Sequence, residues 1–455
     1  MHSLLELFRD FARRKHFAGS AFIVGGAVRD ILLGKDLKDA DIALKGDALG
    51  TAREFAAAVS GSFVLLDSGF EIARVVKGDE RLDLSALRGD SILADLAARD
   101  ITINAMAIPL KDREELSVMS DELKDKDTSR ATQHPSRPSN TSRITHHASL
   151  PLEIIDPFHG RDDLAQGIIR MVSEENLRQD PLRLLRIYRF AAALSFSVEK
   201  DTLDAVGKLA PLVNTVASER ITEELRQILK LDHSYRTIQD MTDNGLMPAL
   251  FPAIERPAWD GALRLYRKAE EVLNSIALSF PAHAEPILQY FRGEYRKICL
   301  KLSVLFPTPE SAKDTALKLK MSGKEVEFLS LLASHRADIA GLYKSFDKKA
   351  AILLLKRLRD DIHAVMVLGI AHAGLLFEEK KILAFCRDLM SLYHEEIRPR
   401  MELPPLITGD DLIHEFHLNP SPLFKKILGA IEDMTLLGEI ATREDALRAA
   451  RKMLE

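Results

Sequence analysis

Apolar and polar positions along this chain follow two periods, and the change from one to the other divides it. Leu4, Leu5, Leu7, Phe8 and Phe11 recur at helical spacing against Arg9, Arg13, Arg14 and Lys15, so residues 1–20 predict an amphipathic helix packed on the next domain-forming segment. Ala21–Val24 is a short apolar run stopped by Gly25-Gly26, then helix formers, which reads as strand, tight turn and a helix beginning near Ala27. Asp39–Leu44 reads as a second strand and Ala48–Val59 as a helix. Ser62–Leu66, Glu71–Lys77 and Arg81–Leu84 read as short strands between glycine-containing turns. Strands alternating with helices over residues 21–110 predict one modest sheet with helices against it. From Lys111 to Ser149 the pattern dissolves into Ser, Thr, Arg, His and Pro, with no acid between Thr128 and Leu152. Such a stretch cannot bury enough apolar surface to order itself, and it reads as a disordered insertion. From Asp162 onward the period is helical almost throughout.

Two features of the alternating part carry chemistry. Residues i and i+2 of a strand point the same way, so Asp39 and Asp41 share a face. Two carboxylates that close repel unless a cation lies between them, and an all-oxygen site of this kind suits Mg²⁺. Gly25 and Gly26 lack a Cβ and let backbone approach a ligand, while a helix starting beside them aims free N–H groups at a phosphate. Arg29 and Asp30 fall in its first turns. Glycines for a phosphate beside Asp-x-Asp for a metal read as nucleotidyl transfer. Asp83 lies in the alternating segment Arg81-Leu-Asp-Leu-Ser; if that strand pairs near Asp39–Leu44, it is a third carboxylate, able to bind metal or take a proton.

Length and composition narrow the setting. A chain of 455 residues is expected to form about two to four domains. Its apolar and charged fractions, 46% and 29%, are those of a soluble globular protein. No apolar run approaches a membrane span, and the start lacks a signal peptide's apolar core. Cys299 and Cys386 are the only cysteines; both read as reduced packing residues of a cytoplasmic protein. A net charge of −5 does not advertise nucleic-acid binding, so any RNA site must be a local basic surface.

The ordered motifs extend well past the glycines. Gly-Gly-Ala-Val-Arg-Asp-Ile-Leu-Leu-Gly and Asp39-Ala-Asp41 are followed by Arg99-Asp100-Ile-Thr-Ile-Asn104-Ala and Asp156-Pro-Phe-His-Gly160. Next come Asp180-Pro-Leu-Arg183-Leu-Leu-Arg186-Ile-Tyr-Arg189-Phe and Ser218-Glu219-Arg220-Ile, and in the tail Leu406-Ile-Thr-Gly-Asp-Asp-Leu and Gly438-Glu-Ile-Ala-Thr. In this order, over nearly the whole chain, the sequence resembles the class II tRNA nucleotidyltransferases and bacterial poly(A) polymerases. The resemblance implies an α+β protein: a polymerase-beta-like head, then an all-helical neck, body and tail. Expected boundaries are 1–160 for the head (insertion at about 111–149), 161–245 for the neck, 246–400 for a body resembling a degenerate HD domain, and 401–455 for an RNA-binding tail.

The resemblance also implies roles. Asp39 and Asp41 would hold two Mg²⁺ ions, with Asp83 as the acid of the comparable strand. Gly25, Gly26, Arg29 and Arg99 would meet the triphosphate, Asp100 the ribose hydroxyl, and Asn104 would support the nucleotide site. Asp180 and Arg183, one turn apart, would read the Watson–Crick edge of ATP or CTP, with Arg186 and Arg189 facing the triphosphate. Leu182, Leu185, Tyr188 and Ala192 would form that helix's core face. Ser218 is expected to cap a helix over 217–230, with Glu219 and Arg220 tying neck helices together. Three departures qualify the pattern. Gln179 stands where the family has Glu, Ala98 where it commonly has Arg, and little chain lies between Arg88 and Arg99, where members with complete CCA addition carry a longer flexible segment. The short link suits an enzyme adding only part of CCA, or a tailing enzyme, and Gln179, which keeps hydrogen bonding but drops the charge, is expected to alter nucleotide preference. The His-Asp pair of an HD phosphohydrolase is missing near Cys299–Phe306, leaving His335 alone of the expected ligands, and no phosphohydrolase activity is expected. Lys425, Lys426, Arg443, Arg448, Arg451 and Lys452 would give salt-sensitive phosphate contacts in the tail. Partners are then RNA, foremost the tRNA acceptor end, and nucleoside triphosphates, neither DNA nor a membrane. The alternatives are a poly(A) polymerase and, from another class, a catalytically silent RNA-binding protein.

Overall fold

Ser3 opens the described chain as an N-cap. Its hydroxyl accepts from the Glu6 amide while the Glu6 carboxylate accepts from the Ser3 amide, and this capping box starts α1 (Leu4–Arg14). The computed structural model describes residues 3–67, 69, 71–110, 153–306 and 308–454; the insertion read at 111–149 lies outside them. The chain divides into two compact units, residues 1–216 and 217–455.

In the first unit, β1 (Ala21–Val24), β2 (Asp39–Leu44), β3 (Ser62–Asp67), β4 (Ile72–Lys77), β5 (Glu80–Ala86) and β6 (Ala107–Pro109) form one sheet in the order β3-β4-β5-β2-β1-β6. β2 runs parallel to β5, and the other neighbours are antiparallel. All four residues of β1 are buried, as expected of a central strand. The helices of this part are α2 (Gly26–Leu32), α3 (Ala48–Ala58) and α4 (Ile92–Ala97). Phe8 and Phe11 of α1 pack on Phe55 of α3, Phe8 edge-to-face with ring centroids 4.9 Å apart. Each ring removed from water contributes about 1.5–3 kcal/mol, which holds α1 on the head as its amphipathic stripe predicts.

Past the insertion, Asp156 accepts from the amides of Gly160 and Arg161 and opens α5 (Gly160–Gln166). A Cβ at Gly160 would lie 2.3 Å from the Thr102 carbonyl oxygen, so only glycine fits there. The chain then departs from the all-helical expectation: β7 (Ile168–Ile169) pairs in parallel with β8 (Ser197–Val198). Between them lie α6 (Glu174–Gln179) and α7 (Leu182–Leu194); α8 (Lys200–Leu209) comes after β8. Two-residue strands are too short to show a period in sequence.

The second unit begins with α9 (Ser218–Leu229). Ala217, not Ser218, is its N-cap, because Ser218 already has helical geometry and its carbonyl accepts from the Thr222 hydroxyl. Glu219 and Arg220 are exposed, and the helix is tied through Arg226 to Glu325, 2.6 Å apart, and through the Thr222 hydroxyl to the Leu319 carbonyl. Helix Ile362–Ala373 is apolar on nearly every side and correspondingly buried along all but His372. Cys299 and Cys386 are buried and unlinked, and burial pushes the Cys299 thiol up to about 12. His335 accepts or donates at 2.7 Å from Asp338, a local i,i+3 pair. The last three helices, Gly409–Phe416, Pro422–Leu436 and Arg443–Leu454, close over Ile407, Leu412, Ile427 and Ile431. Thr408 caps the first with Asp411, as its position predicts. Two of the six basic tail residues are paired locally, Arg443 with Asp411 and Arg448 with Asp445.

Candidate active site

β2 places Asp39 and Asp41 on the same face because Ala40 between them turns into the core, along with Ile42 beyond. Parallel pairing with β5 sets Asp83 directly beside Asp41. The three acids line a cleft of about 160 Å³ with Gly26, Asp30, Arg74 and Arg81. Arg74 is opposite Asp83 across the β4–β5 ladder, and its guanidinium grips both carboxylate oxygens at 2.7 and 2.8 Å. Arg81 approaches Asp39 only to 4.0 Å.

Asp41 retains exposed surface, yet protein crowds its carboxyl on the other sides. That crowding, and then the charge of Asp83, push its pKa above the ordinary Asp value, against the partial relief of Arg99 and Arg74. A dicationic metal would remove this excess of negative charge, and the donors are all oxygen, so Asp39 and Asp41 fit Mg²⁺. Among the described residues no three His, Cys, Asp or Glu side chains converge on one metal position. The remaining ligands would be water and substrate oxygens.

Gly25 ends β1 in the left-handed region, φ 70°, next to these acids. A Cβ there would lie 2.8 Å from Nη1 of Arg99 and 3.3 Å from Oδ2 of Asp41. The glycine therefore makes room both for a positive φ and for a guanidinium reaching over the backbone toward the acids. Arg99 is fixed from behind by Asp95, which sits one helical turn earlier and accepts from its Nε and Nη2 at 3.0 and 2.8 Å.

A second layer of paired charges lies beside the first. Asp100 is buried and accepts from Arg186 at 2.7–2.8 Å and from the Ile101 amide at 2.9 Å. Burial alone would push its carboxyl up, but the charge and hydrogen bonds of Arg186 hold it below the ordinary value. Arg29 is also buried: its fork donates twice to Asp30, and Nη1 donates to Asn104 at 2.9 Å. Arg183 donates to the Asn176 carbonyl, and burial lowers its pKa although Asp100 and Asp180 oppose this. Asn176 in turn clamps the carbonyls of Ala97 and Arg99 at 2.7 and 2.8 Å.

The candidate catalytic and nucleotide-binding residues, from Gly25 to Arg189, all lie in the first unit, with some changes of setting. Asp180 is not on the helix that carries Arg183. It lies between α6 and α7 in extended geometry, φ −133° and ψ 91°, because it precedes Pro181, which disfavours helical backbone before it. Gln179, at the end of α6, is exposed and bonds Glu175. On α7, Leu182, Leu185 and Tyr188 are core, but Ala192 is half-buried, while Leu184, Ile187 and Phe190 are buried too. Arg29 and Asp100 face protein partners rather than open cleft. Sequence reasoning does not single out Arg74, Asp95, Asn176 or Phe190. Only Asp95 leaves a signal, its i,i+4 spacing to Arg99.

A small mixed sheet with a glycine turn, a same-facing acid pair and a guanidinium over the turn defines a polymerase-type nucleotidyltransferase head. Residues 21–94 match the family described as "Poly A polymerase head domain", and residues 195–256 the one described as "Probable RNA and SrmB- binding site of polymerase A". The CC-adding tRNA nucleotidyltransferase of Geobacter sulfurreducens is 31% identical over 97% of this chain and 94% of its own length. The A-adding enzyme of Halalkalibacterium halodurans is 26% identical over 95% of this chain and 88% of its own. The Thermotoga maritima CCA-adding enzyme complexed with tRNA shares the fold, with a TM-score of 0.67 over 99% of this chain and 95% of that one at 23% identity. The chain belongs to the tRNA nucleotidyltransferase and poly(A) polymerase family. No helix among the described residues is long and apolar enough to cross a membrane.

Proposed function

We propose that this protein extends the 3′ end of tRNA without a template, using CTP and/or ATP and releasing pyrophosphate. The observation that carries this reading is the pair Asp39 and Asp41 on one face of β2, with Asp83 in register beside them and the Gly25 turn adjacent. Mg²⁺ held by Asp39 and Asp41 would lower the pKa of the attacking hydroxyl and offset the charge of the triphosphate. The 3′-hydroxyl gives up its proton to solvent, its oxygen forms a bond to the α-phosphorus, the bond from that phosphorus to the bridging oxygen breaks, and pyrophosphate leaves in line.

The other residues bind and orient. Gly25 and Gly26 let the triphosphate approach the backbone, and Arg99, braced by Asp95, contributes charge beside it. Asp83, with both oxygens accepting from Arg74, acts as a fixed negative neighbour of Asp41. Asp180 and Arg183 present an acceptor and donors to the base edge, while Arg186 and Arg189 lie toward the triphosphate, Arg186 anchored by Asp100. Arg29 and Asn104 hold the floor of the site.

Within this class the favoured reading is addition of C without the final A. Likeness to a CC-adding relative runs at 31% over nearly the full length, and most of the short span from Arg88 to Arg99 is a helix capped by Ser91. The test is tRNA ending before, within and after CCA, incubated with CTP and ATP separately. Incorporation of C alone, onto ends lacking it, is the expected outcome. A long adenosine ladder would instead identify a poly(A) polymerase, and absence of pyrophosphate release from any nucleotide would leave a silent RNA-binding protein.

A further inference from the structure

Phe190 of α7 is 8% exposed, and three guanidinium groups lie over its ring. The guanidinium carbon of Arg189 is 4.1 Å from the ring centroid, and those of Arg29 and Arg186 are each 5.3 Å away. Arg29 comes from α2, behind the glycine turn, where a Cβ on Gly26 would meet its Nη2 at 3.2 Å. Arg186 comes from one turn earlier on α7. Like charges gathered so closely repel; the Asp30 carboxylate and the Asn104 carboxamide oxygen take N–H edges of Arg29, and the Asp100 carboxylate takes those of Arg186. Hydrogen bonds reach a guanidinium at its edge and leave its face open. The electron-rich face of a ring is the complementary partner for that face. A leucine of similar volume would fill the space and supply none of this attraction.

We propose that Phe190 is a positioning residue for nucleotide binding: its ring holds Arg29, Arg186 and Arg189 in one array beside the triphosphate. The inference rests on the proposed function, in which Arg186 and Arg189 lie toward the triphosphate and Arg29 holds the floor of the site. It goes further by assigning the arrangement to the ring's electrostatics, and packing alone would not require three cations.

The experiment replaces Phe190 in the full-length chain with 4-fluoro-, 3,5-difluoro- and 3,4,5-trifluorophenylalanine, with Phe190→Leu alongside. Fluorines withdraw charge from the ring face in steps while nearly preserving its shape. Kd for CTP and ATP by calorimetry, kcat and KM on tRNA, and Tm are measured for each protein. The expected result is a stepwise rise in nucleotide Kd and KM, about three- to tenfold by the trifluoro ring and for leucine, with Tm and kcat changing far less. A flat Kd across the series, or a rise that merely tracks falling Tm, would overturn the proposal. Wild-type protein that binds neither CTP nor ATP would remove the proposed function, and this inference with it. Wild-type protein that adds nucleotides normally while the series stays flat would remove only the inference.

Discussion

The acid corner and the arginine layer next to it solve opposite electrostatic problems. At the corner, Asp39, Asp41, Asp83 and Asp30 meet Arg74 and Arg81 around one cleft, and Asp41 carries the cost as a raised pKa. In the layer, Asp95 meets Arg99, Asp100 meets Arg186, and Asp30 and Asn104 meet Arg29, all within 3.0 Å. The corner keeps negative charge in excess and is ready for a cation. The layer is satisfied before any ligand arrives, so its cations are pre-oriented rather than loose. Asp30 belongs to both, which is how the two are joined.

Breaking the corner has the largest expected effect. Asp39→Ala or Asp41→Ala removes half the oxygen donors, and several kcal/mol of transition-state stabilisation go with them, so kcat/KM should fall by about a thousandfold or more. tRNA affinity should stay within a few-fold, because the basic tail residues expected to meet RNA lie in the second unit. Pyrophosphate release and a filter-binding assay check both halves. Activity near wild type in either variant would end the metal assignment.

The layer responds differently, through position. Asp95 is 3% exposed and also accepts from the Arg88 amide, so Asp95→Ala leaves three N–H donors without their acceptor and lets Arg99 swing from Gly25. KM for the nucleotide should rise about tenfold, while the dependence of kcat on Mg²⁺ concentration keeps its shape. An equal loss in kcat with unchanged KM would place Arg99 in the chemical step instead.

These two regions also differ in how far they can be read from the chain. Asp39 and Asp41 need only the period of two that any strand has, so their shared face is legible before a fold is known. Asp83 is conditional on a register that spacing cannot supply, and pairing of β2 with β5 supplies it. Arg74 is invisible because its partner lies across a hairpin, and Asn176 because it works on carbonyls 77 and 79 residues away. Helical spacing puts Asp180 on a helix, although Pro181 beside it carries the warning against that placement. Most of the head's strands lie where alternation puts them, whereas β7 and β8 are too short for any periodicity. In the tail, Thr408 is readable because a capping box is local.

Asp100→Asn tests the layer by pH. The Asp100 carboxyl titrates below the ordinary range, so its contribution is complete above the unfolded value, about 3.9, and is lost as pH falls through the lower folded value. Replacing it removes charge-assisted bonds worth about 2–3 kcal/mol at neutral pH, a fall in Tm of about 4–10 °C for a unit of this size. The gap between wild type and variant should narrow below about pH 4. Thermal melts from pH 3 to 8 decide it, and a gap that widens in acid would show that Asp100 is not held ionised.

The smallest effect is expected where the two regions share a residue. Asp30 is partly exposed, pairs with Arg29 at 3.0 Å and lies 3.7 Å from Lys35. Asp30→Asn keeps the shape and removes the charge, but Arg29 retains Asn104 at its Nη1 and the Phe190 ring at its face. Stability should therefore drop by only about 0.5–1 kcal/mol. The same change takes one negative charge from the cleft, but burial and Asp83 are what raise the Asp41 carboxyl, so NMR titration of labelled Asp should find Asp41 nearly unmoved. A stability loss above about 2 kcal/mol would mean that Arg29 depends on Asp30 alone and that the layer is not redundant. An Asp41 carboxyl that moves clearly back toward its ordinary value would mean that Asp30 also sets the cleft's excess charge, beyond burial and Asp83.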